Sequence, residues 1–159
     1  MLKCAVAASG RGYGDVEQSE RFVFRVAGTT FSPLESLRVA LEQTVGFFLQ
    51  RNKEVWLILQ VPELGFNISE CIGRPVSFEH KLRMPCVVPK EDVLSRQAPY
   101  RLVVDSVTAK QPALKIYDPL PAMCDDRSCF GILGDTVLYQ DDDHLSRNGS
   151  LFFADKFAF

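Results

Sequence analysis

Residues 55–61 have the sequence VWLILQV and are followed directly by Pro62. Its apolar residues run on without alternation, as is typical of a β-strand that is covered on both faces. Proline cannot donate a ladder hydrogen bond, so Pro62 is expected to end the strand. The sequence therefore predicts a buried strand over residues 55–61.

The segment before this strand has the signals of a helix. Ser32 is a good N-cap, Pro33 suits the first helical position, and Glu35 completes a capping box. Apolar residues then recur at spacings of three and four and form a stripe expected to face a sheet: Leu34, Leu37, Leu41, Val45 and Phe48. A helix followed at once by a buried strand is the αβ half of a right-handed parallel crossover.

A second helix and strand repeat this pattern. Residues 91–110 are predicted to be helical, in two pieces because Pro99 interrupts them, and residues 113–118 form a second buried strand. The apolar face of this helix consists of Tyr100, Val103, Val104 and Val107. The elements together predict one α/β domain over residues 1–159.

The remaining segments give weaker patterns. Residues 2–8 suit a buried strand, and residues 21–26 suit an exposed one. Residues 63–89 are a long, proline-rich connection, which is uncommon unless it is functional or has local structure of its own. Towards the C-terminus, residues 137–139 suit a small strand, and Ser146 is predicted to cap a final helix.

The composition excludes several classes of protein. The chain has 159 residues, of which 47% are hydrophobic, and a net charge of −2, as is typical of a globular domain. The near-neutral charge argues against non-specific binding of nucleic acid, which needs clustered Lys and Arg. Apolar runs fall well short of the about 20 residues that span a bilayer. The apolar run at residues 2–8 also stops too early for a secretory signal.

Four of the five cysteines lie in predicted loops, where an oxidising compartment would allow them to pair. Cys124 and Cys129 close a short loop, and Cys71 and Cys86 are the second candidate pair. Cys4 would be left over in the first strand. Five reduced thiols are the alternative.

The segment LYQDDDHLS at residues 138–146 carries the candidate chemistry. A tight turn would place Asp141 and His144, three residues apart, on one side of the chain. The carboxylate can then accept the Nδ1–H of the imidazole and leave Nε2 to deprotonate a hydroxyl. A metal at residues 141–143 and zinc at Cys124 and Cys129 are disfavoured, because further ligands at suitable spacing are missing.

These motifs resemble those of a known family. The block Asp141-x-x-His144-Leu145-Ser146-x-x-Gly149 resembles the last conserved block of SGNH (GDSL-like) hydrolases. The run VPELGF at residues 61–66, the cysteines at 124 and 129, and Leu138-Tyr139-x-Asp141 resemble one branch. That branch is the extracytoplasmic SGNH domain fused to membrane-bound O-acyltransferases of the acyltransferase-3 kind, which acetylate bacterial surface glycans.

The resemblance implies a three-layer αβα, flavodoxin-like fold with a mostly parallel sheet and a Ser-His-Asp triad. Asp141 would orient His144, and His144 would be the general base. Ser146 and Gly149 would begin the last helix rather than take part in the chemistry. No cofactor is implied.

The nucleophile of the family is missing from the printed sequence. It lies in a G-D-S turn, whereas here Gly14-Asp15 precedes valine and Gly134-Asp135 precedes threonine. The chain is therefore expected to be an N-terminally truncated domain, to lack the serine and to be inactive alone. Ser9 is a much weaker substitute nucleophile. The asparagine that helps to form the family's oxyanion hole would fall near residues 9–14, which contain no asparagine.

The predicted function is O-acyl transfer, with acetyl as the expected group, to a bacterial surface glycan. The implied partners are an acyl donor, the glycan and a membrane acyltransferase domain in the same parent protein, with a homodimer as one way to cover a sheet edge. The expected location is periplasmic or otherwise extracytoplasmic. The alternative is a non-catalytic module with the SGNH fold that binds a glycan or a partner.

Overall fold

A computed structural model describes residues 24–26, 29–72 and 83–156, which fall into two units. The described part of the first unit comprises residues 24–26, 29–58 and 96–117, and that of the second comprises residues 59–72, 83–95 and 118–156. The predicted strand at residues 2–8, Cys4 and Ser9 lie outside the described residues.

The elements in chain order are β1 (Phe24–Val26), β2 (Thr29–Phe31), α1 (Pro33–Leu49), β3 (Trp56–Ile58), α2 (Ser69–Ile72), β4 (Val87–Pro89), α3 (Lys90–Lys110), β5 (Lys115–Tyr117), α4 (Leu120–Met123), β6 (Ser128–Phe130), β7 (Ile132–Leu133), β8 (Thr136–Val137) and α5 (Arg147–Lys156).

Helix α1 begins where its sequence predicts. The Oγ atom of Ser32 accepts a hydrogen bond from the Glu35 amide at 3.3 Å, and Pro33 occupies the first helical position. The Glu35 carboxylate accepts a hydrogen bond from Arg38 Nε at 2.9 Å, one turn into the helix. The predicted N-cap is therefore confirmed, and Glu35 also forms an ion pair with Arg38.

The first unit contains a parallel strand pair beside a small core. β3 pairs with β5 in parallel, with Leu57 opposite Ile116. The core is formed by Val45, Val107 and Leu114, with Leu41, Leu49, Val55, Leu57 and Ile116 packed against it. Helix α1 therefore packs as expected through Leu41 and Val45, whereas Leu34 and Phe48 at the ends of its predicted stripe are exposed.

Strand β3 is shorter than predicted. It covers Trp56–Ile58, Ile58 is 47% exposed and Trp56 is half-buried. The indole Nε1 of Trp56 donates a hydrogen bond to Glu54 Oε1 at 2.7 Å, so the polar edge of the ring has a partner. The apolar run nevertheless reflects burial, because Leu59 is buried and Val61 packs against the core of the second unit.

Helix α3 is continuous, and the prediction of two pieces is wrong. Pro99 lies inside it and removes one helical hydrogen bond, at a cost of about 3 kcal/mol. Val93 before the proline and Val107 after it are both fully buried. Burial on both sides of Pro99 offsets the lost bond. Of the predicted apolar face, Val103, Val104 and Val107 are buried, whereas Tyr100 is half-buried.

The second unit has one larger core. Its buried apolar residues include Leu64, Phe66, Ile68, Val88, Val93, Leu120, Met123, Leu138 and Tyr139. Two antiparallel pairs flank this core: β4 with β6, and β7 with β8. The predicted small strand at residues 137–139 is shifted, because β8 ends at Val137 and Tyr139 forms an isolated bridge with Leu145.

Two disulfides stabilise the second unit. Cys71 in α2 is bonded to Cys86, and Cys124 is bonded to Cys129 across the loop that precedes β6. Both cysteine pairs are those predicted from the sequence. The long connection at residues 63–89 therefore has local structure, with α2 bonded covalently to Cys86, the residue before β4.

The helices and the parallel pair fit an α/β protein. Among the described residues, one strand pair is parallel and three are antiparallel. None of the helices in this part of the chain combines the length and apolar character needed to traverse a bilayer.

Candidate active site

The candidate site lies on a closed turn of the second unit. The Gln140 amide donates to the His144 carbonyl at 2.8 Å, and Tyr139 bridges Leu145. One residue further out, the Ser146 amide donates to the Leu138 carbonyl at 2.8 Å. These bonds fix the base of the loop formed by residues 140–144, which we call the catalytic loop after the role that the sequence predicts for Asp141 and His144.

Asp141 organises the inside of this loop. Its Oδ1 atom accepts the amide hydrogens of His144 at 2.7 Å and of Asp143 at 3.1 Å. Such local bonds are the reason that aspartate favours turns. The Nδ1 atom of His144 lies 3.0 Å from Oδ2 and 3.2 Å from Oδ1 of Asp141. The spacing of three residues therefore brings this carboxylate and this imidazole into direct contact.

Asp143 is a second carboxylate in contact with the same imidazole, and this contact was not predicted from the sequence. Its Oδ1 atom lies 2.8 Å from His144 Nδ1. The sequence does contain a signal for this contact, because Asp143 directly precedes the histidine in the D-D-D-H run. One ring nitrogen thus lies within ion-pair distance of two carboxylates.

The charges of the loop change the titration of all three groups. The Asp143 charge, followed by the hydrogen bond to Asp141, raises the pKa of His144 above its ordinary value. Partial burial raises the pKa of Asp143. Partial burial also acts to raise the pKa of Asp141, but the backbone hydrogen bonds from His144 and Asp143 outweigh it, and the pKa is lowered.

The arrangement suits proton transfer at an open surface. With its Nδ1 proton held by a carboxylate, a neutral imidazole presents the lone pair of Nε2. The His144 side chain is 73% exposed, whereas that of Asp141 is 32% exposed. The imidazole is therefore accessible to a reactant, and the Asp141 carboxylate in contact with it is less exposed.

The segment at residues 62–68 holds the catalytic loop from one side. The Leu64 amide donates to the Asp142 carbonyl at 2.8 Å, and the Ile68 amide donates to the Asp141 carbonyl at 3.2 Å. Tyr139, at the base of the loop, donates its hydroxyl to the Pro62 carbonyl at 2.6 Å. Three hydrogen bonds therefore join two segments that are far apart in sequence.

Ser146 begins helix α5, as its position in the motif implies. Its hydroxyl donates to the Val137 carbonyl at 2.6 Å and accepts the Gly149 amide at 2.9 Å. Gly149 packs directly on the chain before the loop, since a Cβ atom there would lie 1.9 Å from the Leu138 carbonyl oxygen. Both residues position the helix against the catalytic loop.

The same loop has atoms that could ligate a metal ion. One oxygen from each of Asp141 and Asp143 and a nitrogen of His144 lie within 4.8 Å of one another. Asp143 and His144 are exposed, and the Nδ1 atom of the imidazole is already in contact with both carboxylates. Exposed acidic groups of this kind are common without an ion, and the contacts are those of an oriented histidine.

Comparison with known proteins gives one match. A family model described as "SGNH domain (fused to AT3 domains)" matches residues 5–159. No curated protein and no solved structure matches the chain. The match covers nearly the whole sequence, including the catalytic loop, and confirms the resemblance found in the sequence. The chain belongs to the family of SGNH domains that are fused to acyltransferase-3 domains, and it is an acyltransferase-associated module of the α/β class.

Proposed function

We propose that this chain supplies the histidine and the aspartate of an SGNH-type O-acyltransferase. The observation that supports this most strongly is the contact between His144 Nδ1 and the Asp141 carboxylate, in the block that resembles the last one of the family. The reaction is transfer of an acyl group, with acetyl as the expected one, to a hydroxyl of a bacterial surface glycan. The nucleophile is a serine outside the printed sequence, which has no G-D-S.

The first half-reaction forms an acyl-serine. Nε2 of His144 takes the proton of the serine hydroxyl while the serine oxygen attacks the carbonyl carbon of the donor. The bond to the donor's leaving group breaks, and the leaving group takes the proton from the imidazolium. Asp141 stabilises the imidazolium and keeps the ring in the tautomer that has its proton on Nδ1.

The second half-reaction transfers the acyl group. The neutral imidazole takes the proton of a sugar hydroxyl, and the sugar oxygen attacks the ester carbonyl of the acyl-serine. The bond to the serine oxygen breaks, and the serine regains its proton from the imidazolium. An open site suits a large acceptor, and the exposure of His144 agrees with that requirement.

The proposal extends to the location and the partners of the domain. Disulfides form and persist in oxidising compartments, so the two bridges support an extracytoplasmic, periplasmic position. The fusion named in the family description supports a membrane acyltransferase domain in the parent protein as the source of acyl groups. We further propose that the domain has the three-layer αβα fold with a mostly parallel sheet.

Labelling with a fluorophosphonate probe tests the enzymatic proposal. The parent protein with its own serine should be labelled, and His144→Ala should abolish labelling because no base remains to activate the serine. Asp155→Asn, an exposed acid in α5, is the matched control and should label normally. Absence of labelling in the intact parent protein would overturn the proposal and favour a non-catalytic binding module.

A further inference from the structure

We infer that Tyr139 is a positioning residue for the catalytic loop and that it acts through the hydrogen bond from its hydroxyl to the Pro62 carbonyl. This inference rests on the proposed function, because it concerns how the Asp141–His144 pair is held for acyl transfer. It adds a residue that touches neither the reacting atoms nor the imidazole.

The contacts of Tyr139 connect the base of the loop to a distant segment. Its backbone bridges Leu145, at the opposite end of the catalytic loop. Its hydroxyl oxygen lies 2.6 Å from the carbonyl oxygen of Pro62, a residue 77 positions away in sequence. Because the side chain is 1% exposed, no bulk water can replace this bond.

The segment that receives this hydrogen bond also binds the loop itself. Two residues after Pro62, the Leu64 amide bonds the Asp142 carbonyl, and the Ile68 amide bonds the Asp141 carbonyl. Ile68 therefore bonds the backbone of Asp141, the residue whose carboxylate contacts His144. A displacement of residues 62–68 would therefore be transmitted to the backbone of Asp141.

The phenol is suited to this role over a wide pH range. Burial, followed by the nearby charge of Glu63, raises the pKa of Tyr139 far above its ordinary value. The hydroxyl therefore keeps its proton and remains a donor at every pH at which the protein would act. Pro62 is itself fully buried, so its carbonyl needs this donor.

The test separates the hydroxyl from the ring. Tyr139→Phe keeps the buried ring and removes the donor, and Tyr100→Phe, a half-buried tyrosine in α3, is the matched control. The first readout is the pKa of His144, followed by NMR of its ring protons in this chain. When the loop is held less firmly, the contact with the carboxylates is populated for less of the time, and the pKa should fall towards about 6.5.

The second readout is kinetic and uses the parent protein. Tyr139→Phe should lower kcat by about ten- to a hundredfold with KM for the acyl donor unchanged, since misplacement of the base affects the chemical step. A residue that contributes only to global stability would leave both the His144 pKa and the kcat of the folded fraction as in the wild type.

A matched pair of unnatural residues keeps the test decisive if Tyr139→Phe does not fold. Position 139 is replaced by 4-aminophenylalanine, which retains a donor, or by 4-fluorophenylalanine, which has none. The inference requires a normal His144 pKa with the first and a lowered one with the second. Equal pKa values in the two folded variants would overturn it. If the wild-type parent protein shows no acyl transfer but the variant without a donor still has a lowered His144 pKa, the positioning role is upheld and the proposed function is overturned.

Discussion

Nδ1 of His144 lies 2.8 Å from Oδ1 of Asp143, nearer than it lies to either oxygen of Asp141. Two neighbouring carboxylates therefore compete for one imidazole nitrogen, although the family motif points to Asp141 alone. They differ in their surroundings. Asp141 also accepts two backbone amides within the loop, whereas Asp143 is the more exposed of the two.

The first prediction separates these two carboxylates by mutation. Asp141→Asn should lower kcat about a thousandfold, because the residue both orients the ring and stabilises its charged form. Asp143→Asn should lower kcat less than about tenfold, since Asp141 still holds Nδ1. Acyl transfer by the parent protein measures both values. A larger loss with Asp143→Asn would identify Asp143 as the orienting residue.

The second prediction concerns pH. The negatively charged groups facing His144 are Asp141, Asp142 and Asp143, and its pKa is raised chiefly by the charge of Asp143. Catalysis needs the neutral base, so kcat/KM should decrease as the pH falls through this raised pKa. Asp143→Asn should move the acidic limb of the profile to lower pH, whereas Asp155→Asn should leave it in place.

The same titration has a consequence for stability. The pKa of His144 in the folded protein lies above its ordinary value of 6.5. Protonated His144 therefore stabilises the fold, fully so below pH 6.5, and this contribution is lost as the pH rises through the folded pKa. The difference in free energy of unfolding between wild type and His144→Gln should decline over that interval. A difference that grows with pH would contradict the assigned charge interaction.

The third prediction concerns the close approach at Gly149. A Cβ atom there would lie 1.9 Å from the Leu138 carbonyl oxygen, so Gly149→Ala must push α5 away from the chain before the loop. Overpacking of this kind costs about 1–3 kcal/mol of the free energy of unfolding. Ser150→Ala, at an exposed position in the same helix, should be nearly neutral. Denaturant unfolding measures both variants, and equal stability would refute the close contact.

The fourth prediction concerns the two disulfides. Intact mass after thiol alkylation, with and without prior reduction, should show four protected cysteines. Removing the Cys71–Cys86 bridge, which spans 15 residues, should cost about 3 kcal/mol. Removing the Cys124–Cys129 bridge, which spans 5, should cost about 2 kcal/mol. Five freely alkylated thiols in the unreduced protein would exclude both bridges.

Local signals in the sequence predicted much of the structure. Ser32 and Ser146 bind the first amides of their helices because capping depends on a few adjacent residues. The contact between Asp141 and His144 is of the same local kind, since it lies within one turn. The two disulfides agree with the candidate pairs, which rested on a short loop at Cys124 and Cys129 and on the shared connection of Cys71 and Cys86, with five reduced thiols as the alternative.

Features that depend on distant contacts were not predicted. The continuity of α3 through Pro99 results from burial at both ends of the helix, which no local pattern contains. The bond from Tyr139 to Pro62 joins residues 77 positions apart, and a buried tyrosine looks like any other core residue in a sequence. The second carboxylate at Asp143 was visible as a residue, but its approach to Nδ1 depends on the shape of the loop.

The most direct test of the account is acyl transfer to a glycan acceptor by the parent protein, with wild type compared with His144→Gln. Glutamine keeps much of the size of the side chain but cannot act as a base at Nε2. His144→Gln should lower the rate of transfer at least about a thousandfold, while Asp155→Asn should transfer at the wild-type rate. A folded His144→Gln protein that transfers acyl groups at the wild-type rate would contradict the central claim.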